Sequence, residues 1–192
     1  MRGLRAADRQ GQAAGVPAGD SVCRLQAAGG ATLKRAAIAL AVGLGLFGFA
    51  ADQLTKEIIL ASLQPGESVP MLGELLRFTL IFNPGAAFGL GRSATLAFTV
   101  FAIVALAGCL GYALPRVRRV SQAVVLGFFL AGISGNLHDR LFRPPAALYG
   151  HVVDFIQLPY FAIFNVADVF ITLGAALLIL FGFRSGRRPS GV

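Results

Sequence analysis

Four apolar runs, each about as long as a bilayer is thick, constrain this 192-residue chain more than any other feature. They cover roughly residues 36–60, 93–114, 120–137 and 161–183. About 20 helical residues at 1.5 Å each match a hydrocarbon core of roughly 30 Å, so each run reads as a transmembrane helix. The first is apolar from Ala36 to Ala51 and then meets Asp52, Gln53, Lys56 and Glu57. The last carries Asp168 near its start, with an apolar run from Val169 to Phe183 behind it. Insertion scales put an Asp at mid-helix at roughly 2.5–3.5 kcal/mol, which makes such a residue a functional candidate by default.

Composition and charge agree with a membrane protein. Only 14% of the chain is charged and 56% is hydrophobic, whereas soluble domains carry about 25% charge. Arg2, Arg5, Arg9, Arg24, Lys34 and Arg35 precede the first run, and Arg116, Arg118 and Arg119 separate the second from the third. Arg184, Arg187 and Arg188 follow the last. In a four-span topology all these segments face one side, and the positive-inside rule puts both termini in the cytoplasm. The net charge of +8 is thus a topology signal. No nucleic-acid face is expected, because no aromatics interleave with these arginines. Cys23 and Cys109 fall in different compartments, so no disulfide is expected between them. His138 and His151 are the only histidines, no cluster has metal-ligand spacing, and no metal is expected.

Between the spans the character of the chain changes. Residues 1–33, rich in Gly, Ala, Arg and Gln, read as a disordered cytoplasmic tail. Residues 34–184 form the membrane domain and 185–192 a short second tail. Residues 61–92 and 140–160 are outer segments. The first holds the β-rich run Leu76-Arg77-Phe78-Thr79-Leu80-Ile81-Phe82, closed by the turn signal Asn83-Pro84-Gly85. The expected fold is an all-α membrane protein, a four-transmembrane-helix bundle with a small extracytoplasmic β-sheet.

Topology then brings polar groups to one depth. Asp52, Asn136 and Asp168 each lie about 16–17 positions from the basic anchor of their own span, or about 24–26 Å at 1.5 Å per residue. All three therefore sit near the outer interface, where Asn83 and Asp154 can reach them from the outer segments. Bland readings exist for several of these. Asp52 and Lys56 are i and i+4 and suit a helix-surface ion pair, Asn83 suits a turn, and Asp139 beside Arg140 suits a structural ion pair. Asp168 is harder to dismiss. Two carboxylates in one site cannot both ionise cheaply, so one keeps a proton while the other activates water. A coupled ion site in a transporter uses the same residue types, and spacing does not choose between Asp139 and Asp154 as the partner of Asp168.

Five stretches in order resemble the lipoprotein signal peptidases, or signal peptidase II, a family of membrane aspartic peptidases. They are Asp52-Gln53-Leu54-Thr55-Lys56, Asn83-Pro84-Gly85-Ala86-Ala87-Phe88, Gly132-Ile133-Ser134-Gly135-Asn136-Leu137-His138-Asp139-Arg140, Val152-Val153-Asp154-Phe155 and Phe164-Asn165-Val166-Ala167-Asp168. The resemblance covers about residues 36–183. It implies that Asp154 and Asp168 are the catalytic pair, while Asn136, Arg140, Asn165, Asn83, Asp52 and Lys56 bind substrate or line the site. Asp139 remains a structural ion-pair residue. It implies no cofactor and, as substrate, a prolipoprotein whose Cys already carries diacylglycerol. It also implies a monomer among membrane lipids of the bacterial inner membrane, with its site near the outer face. Ala131 and His138 depart from the family pattern, and the link from Asp154 to Asp168 is short.

Overall fold

The computed structural model describes residues 18–85 and 91–186, with side chains over 29–85 and 94–182. Residues 1–17 and 187–192 of the expected tails, and Ala86, Ala87 and Phe88 of the second motif, lie outside the described residues. The elements in chain order are α1 (Ala18–Ser62), β1 (Ser68–Leu72), β2 (Leu76–Asn83), α2 (Gly91–Ala107), α3 (Val120–Phe142), β3 (Val152–Gln157) and α4 (Val166–Gly186). After α2 the chain continues through a π turn (Gly108–Ala113) and a 3-10 turn (Leu114–Arg116). Three stretches, Gly29–Ser62, Ala94–Arg116 and Val120–Phe142, are helical, long and apolar enough to cross a membrane. α4 is apolar over Val166–Gly182, a shorter stretch.

The distribution of side chains is inverted relative to a water-soluble domain. Phe47 and Phe101 are 71% and 72% exposed, while Asp52, Lys56, Asp139 and Asn165 are fully buried. So large an apolar exterior marks a surface that meets lipid or a partner, and polar residues inside a membrane helix face the bundle interior. α3 is the central helix, packed against α1 on one side and α4 on the other. Small residues permit this closeness, as is usual where lipid supplies no hydrophobic drive between helices. A Cβ at Gly127 of α3 would lie 2.7 Å from Leu44 Cβ and 3.0 Å from the Ala41 carbonyl of α1.

The sheet is antiparallel with order β1-β2-β3. Its register sets Ile81 opposite Asp154 and Asn83 opposite Val152. After β3 the chain folds back, and Phe164 pairs with Ile156 through Phe164 N–H to Ile156 O (3.1 Å) and Ile156 N–H to Phe164 O (2.7 Å). That return delivers residue 165 alongside Asp154.

Several boundaries differ from the expectations. Residues 18–33, expected as part of the tail, already belong to α1. Their Ala, Leu, Gln and Arg are good helix formers, and extending an existing helix avoids the nucleation penalty. The third helix runs to Phe142, five residues past Leu137, because the charges in that last stretch find partners inside the protein. The fourth helix starts at Val166 rather than 161, since Phe161–Phe164 are spent on the turn and bridge. The outer segment 140–160 also supplies the third strand, which no periodicity had indicated.

Candidate active site

The FNVAD stretch folds as it does because Asn165 and Asp168 form a reciprocal cap on α4. Asp168 N–H donates to Asn165 Oδ1 (3.0 Å), and Asn165 N–H donates to Asp168 Oδ2 (3.3 Å). Asn165 is the N-cap and Asp168 the third helical residue, the spacing of a capping box. The carboxylate also sits at the positive end of the helix dipole. Its remaining oxygen, Oδ1, accepts a hydrogen bond from Asn136 Nδ2 on α3 (2.7 Å).

Asp154 stands on β3, 2% exposed. Asn83 Nδ2 donates to its Oδ2 (2.8 Å), and Asn165 Nδ2 donates to its Oδ1 (2.6 Å). The same Asn165 amide donates to Asn136 Oδ1 (3.0 Å). One residue thus contacts both carboxylates: the Asn165 side-chain amide donates to Asp154, and its backbone N–H donates to Asp168 Oδ2. Burial pushes the Asp154 carboxyl up to about 6 from its ordinary 3.8, and the nearby charge of Asp168 adds to this. The hydrogen bonds from Asn83 and Asn165 oppose the rise. Asp168, half-buried, lies on the wall of an apolar groove of about 270 Å³ that includes Phe161, Phe164, Val169 and Leu173.

Below the pair lies a buried charge cluster. Lys56 Nζ is 2.8 Å from Asp52 Oδ2 and 2.7 Å from Asp139 Oδ2, with all three side chains fully buried. Lys56 also donates to Asn136 Oδ1 (3.3 Å), so it touches the residue that holds Asp168. Asp52 Oδ1 accepts the Ala167 N–H (2.8 Å) and ties α1 to the first turn of α4. Asp52 and Lys56 are therefore an i, i+4 pair as expected, yet an internal one rather than a surface one.

Asp139 is in an ion pair, but not with its neighbour Arg140. Its partners are Lys56 and Arg143, the latter at 2.7 Å, and it accepts the Val153 N–H of β3 (3.2 Å). Adjacent residues on a helix point about 100° apart, whereas i and i+4 share a face. Arg140 instead points to the Pro84-Gly85 turn. Its guanidinium is 5.6 Å from the Phe98 ring, and its buried Nη1 has no hydrogen-bond partner among the described residues. Gly135 is pinned by Asp52, since a Cβ there would lie 2.5 Å from Asp52 Oδ2. Arg143 and Glu57, joined at 2.8 Å, were not singled out from the sequence; the i, i+4 spacing of Asp139 and Arg143 was the available signal. Among the described residues no three His, Cys, Asp or Glu side chains are grouped to hold a metal ion.

Apolar helices enclosing two carboxylates that both bond to Asn165 fit the class of membrane-embedded aspartic peptidases. Known proteins narrow that class. The family model described as signal peptidase (SPase) II matches residues 44–184. A lipoprotein signal peptidase of Leifsonia xyli subsp. xyli is 40% identical over 173 residues, covering 88% of this chain and 77% of its own. One from Streptomyces coelicolor is 39% identical over 158 residues, covering 82% and 76%. A solved bacterial membrane enzyme, obtained by the in meso method at 1.9 Å resolution, superposes with a TM-score of 0.65 at 30% identity, over 73% of this chain and 90% of that one. The chain belongs to the signal peptidase II family, the lipoprotein signal peptidases.

Proposed function

We propose that this protein removes the signal peptide from diacylglyceryl-modified prolipoproteins by cleaving just before the modified Cys, with a water activated between Asp154 and Asp168. The observation that carries this reading is Asn165, whose side-chain amide donates to the Asp154 carboxyl while its backbone N–H donates to that of Asp168. It holds two carboxyl groups at one site, where like charge favours a single shared proton. The elevated Asp154 suits the protonated member, which polarises the scissile carbonyl. The ionised member takes a proton from water, and the tetrahedral intermediate collapses with the proton passing to the leaving amine.

Asn136 and Asn83 hold the acids in place, and the spare donor of Arg140 is available to a peptide carbonyl. Asp52 and Lys56 support Asn136 and α4, and the Asp139 ion pair is structural. The apolar groove along α4 leads lipid-borne substrate to Asp168. Four spans, with α4 as the fourth, put both termini in the cytoplasm and the acids near the outer face of the bacterial inner membrane. The protein works as a monomer among lipids.

The test is cleavage of a diacylglyceryl-modified prolipoprotein by purified protein in detergent. Asp154→Asn and Asp168→Asn should each abolish turnover while the far-UV circular dichroism stays that of wild type. A folded variant of either kind with near-wild-type turnover would overturn the dyad.

A further inference from the structure

At the end of the bundle opposite the acids, α2 and α4 part on either side of α3. They leave an open crevice of about 390 Å³. Val125, Leu126 and Phe129 of α3 form its floor, Cys109 and Ala113 of the π turn one wall, and Leu178 and Phe181 of α4 the other. π turns within apolar helices recur at functional sites.

The rim is polar and cationic. Arg116, Ser121 and Gln122 border the crevice. Arg116 Nη1 donates to the Tyr112 carbonyl (2.9 Å), and its guanidinium carbon lies 3.9 Å over the Tyr112 ring. The fork is thereby oriented, while most of its five donors have no acceptor among the described residues. No described carboxylate forms an ion pair with Arg116, Arg118 or Arg119. An apolar slot under an oriented guanidinium matches one ligand chemistry, an acyl chain carrying an anionic phosphate head.

We propose that this crevice is a binding site for one anionic glycerophospholipid, with an acyl chain between the π turn and α4 and the phosphate on Arg116. The site is separate from the acids and does not depend on the cleavage reaction assigned to them.

The test is native mass spectrometry of the full-length protein in detergent, titrated with phosphatidylglycerol or with phosphatidylcholine of the same chains. Wild type should retain a single phosphatidylglycerol in preference to phosphatidylcholine. Arg116→Ala should lower that retention about fivefold, the weight of one basic residue at an anionic lipid, and Arg116→Lys should keep most of it. Cys109→Phe, which fills the slot and leaves the charge, should also lower it. Prolipoprotein cleavage in detergent, measured on each variant, should stay at the wild-type rate and certify the fold. Equal retention of the two lipids overturns the site. So does a loss produced by Arg118→Ala/Arg119→Ala but not by Arg116→Ala, because that outcome marks general surface attraction instead.

Discussion

Replacing Lys56 with Met tests whether the charges beneath the acids are a unit. Met keeps the length of the side chain and its apolar packing but removes the ammonium. Asp52 and Asp139, both fully buried, then lose a cation at 2.8 and 2.7 Å, and Asn136 loses a donor at 3.3 Å. Breaking a buried ion pair from one side costs about 3–5 kcal/mol, since the remaining charge is left uncompensated. Asp52 retains the Ala167 N–H and Asp139 retains Arg143 and the Val153 N–H, so the loss should fall near the low end, about 3 kcal/mol. Adding Asp52→Asn removes one stranded charge and should recover a third or more of that loss. The measurement is reversible unfolding in mixed micelles with increasing denaturing detergent, for wild type, Lys56→Met, Asp52→Asn and the double variant. A Lys56→Met protein within about 1 kcal/mol of wild type, or a double variant no more stable than the single, would refute a coupled buried cluster. Asp139→Asn should likewise cost stability in this assay more than it costs chemistry.

Three further outcomes are expected. The folded-state value of Asp154, about 6 against an ordinary 3.8, means the native protein holds a proton that the unfolded chain has released; stability contributed by this group is full below about pH 4 and falls as pH rises to 6, by about 3 kcal/mol. Unfolding midpoints measured across that window should therefore decline for wild type and be flatter by this amount for Asp154→Asn. Asn165→Ala should lose the helix cap, at about 1 kcal/mol, together with most turnover, whereas Asn165→Asp should keep the cap and still lose turnover, because it removes the donor to Asp154. Gly135→Ala forces a methyl to within 2.5 Å of Asp52 Oδ2 and should lower stability by about 1–3 kcal/mol, read as a shift in thermal unfolding in detergent.

Hydropathy and the basic anchors are local properties, so the sequence by itself determined the apolar spans, their approximate limits and the common depth of Asp52, Asn136 and Asp168. Ordered motifs likewise sufficed for the family, because the spacing of such stretches survives without any knowledge of contacts. Element ends were less legible. Asn165-Val166-Ala167-Asp168 is a capping box that puts the start of α4 at Val166 rather than residue 161, although hydropathy alone does not distinguish the two. Tertiary structure alone decided the partners. Asn83 reaches Asp154 because β2 pairs with β3 in a register that puts Ile81 opposite Asp154. Lys56 lies between Asp52 and Asp139 because the glycine-lined face of α3 lets α1 approach closely. Asp139 takes Arg143 rather than Arg140 because helical side chains four apart share a face. Hydrogen bonds and ion pairs act over about 3 Å, and which polar groups meet at that range depends on how the strands register and how closely the helices pack.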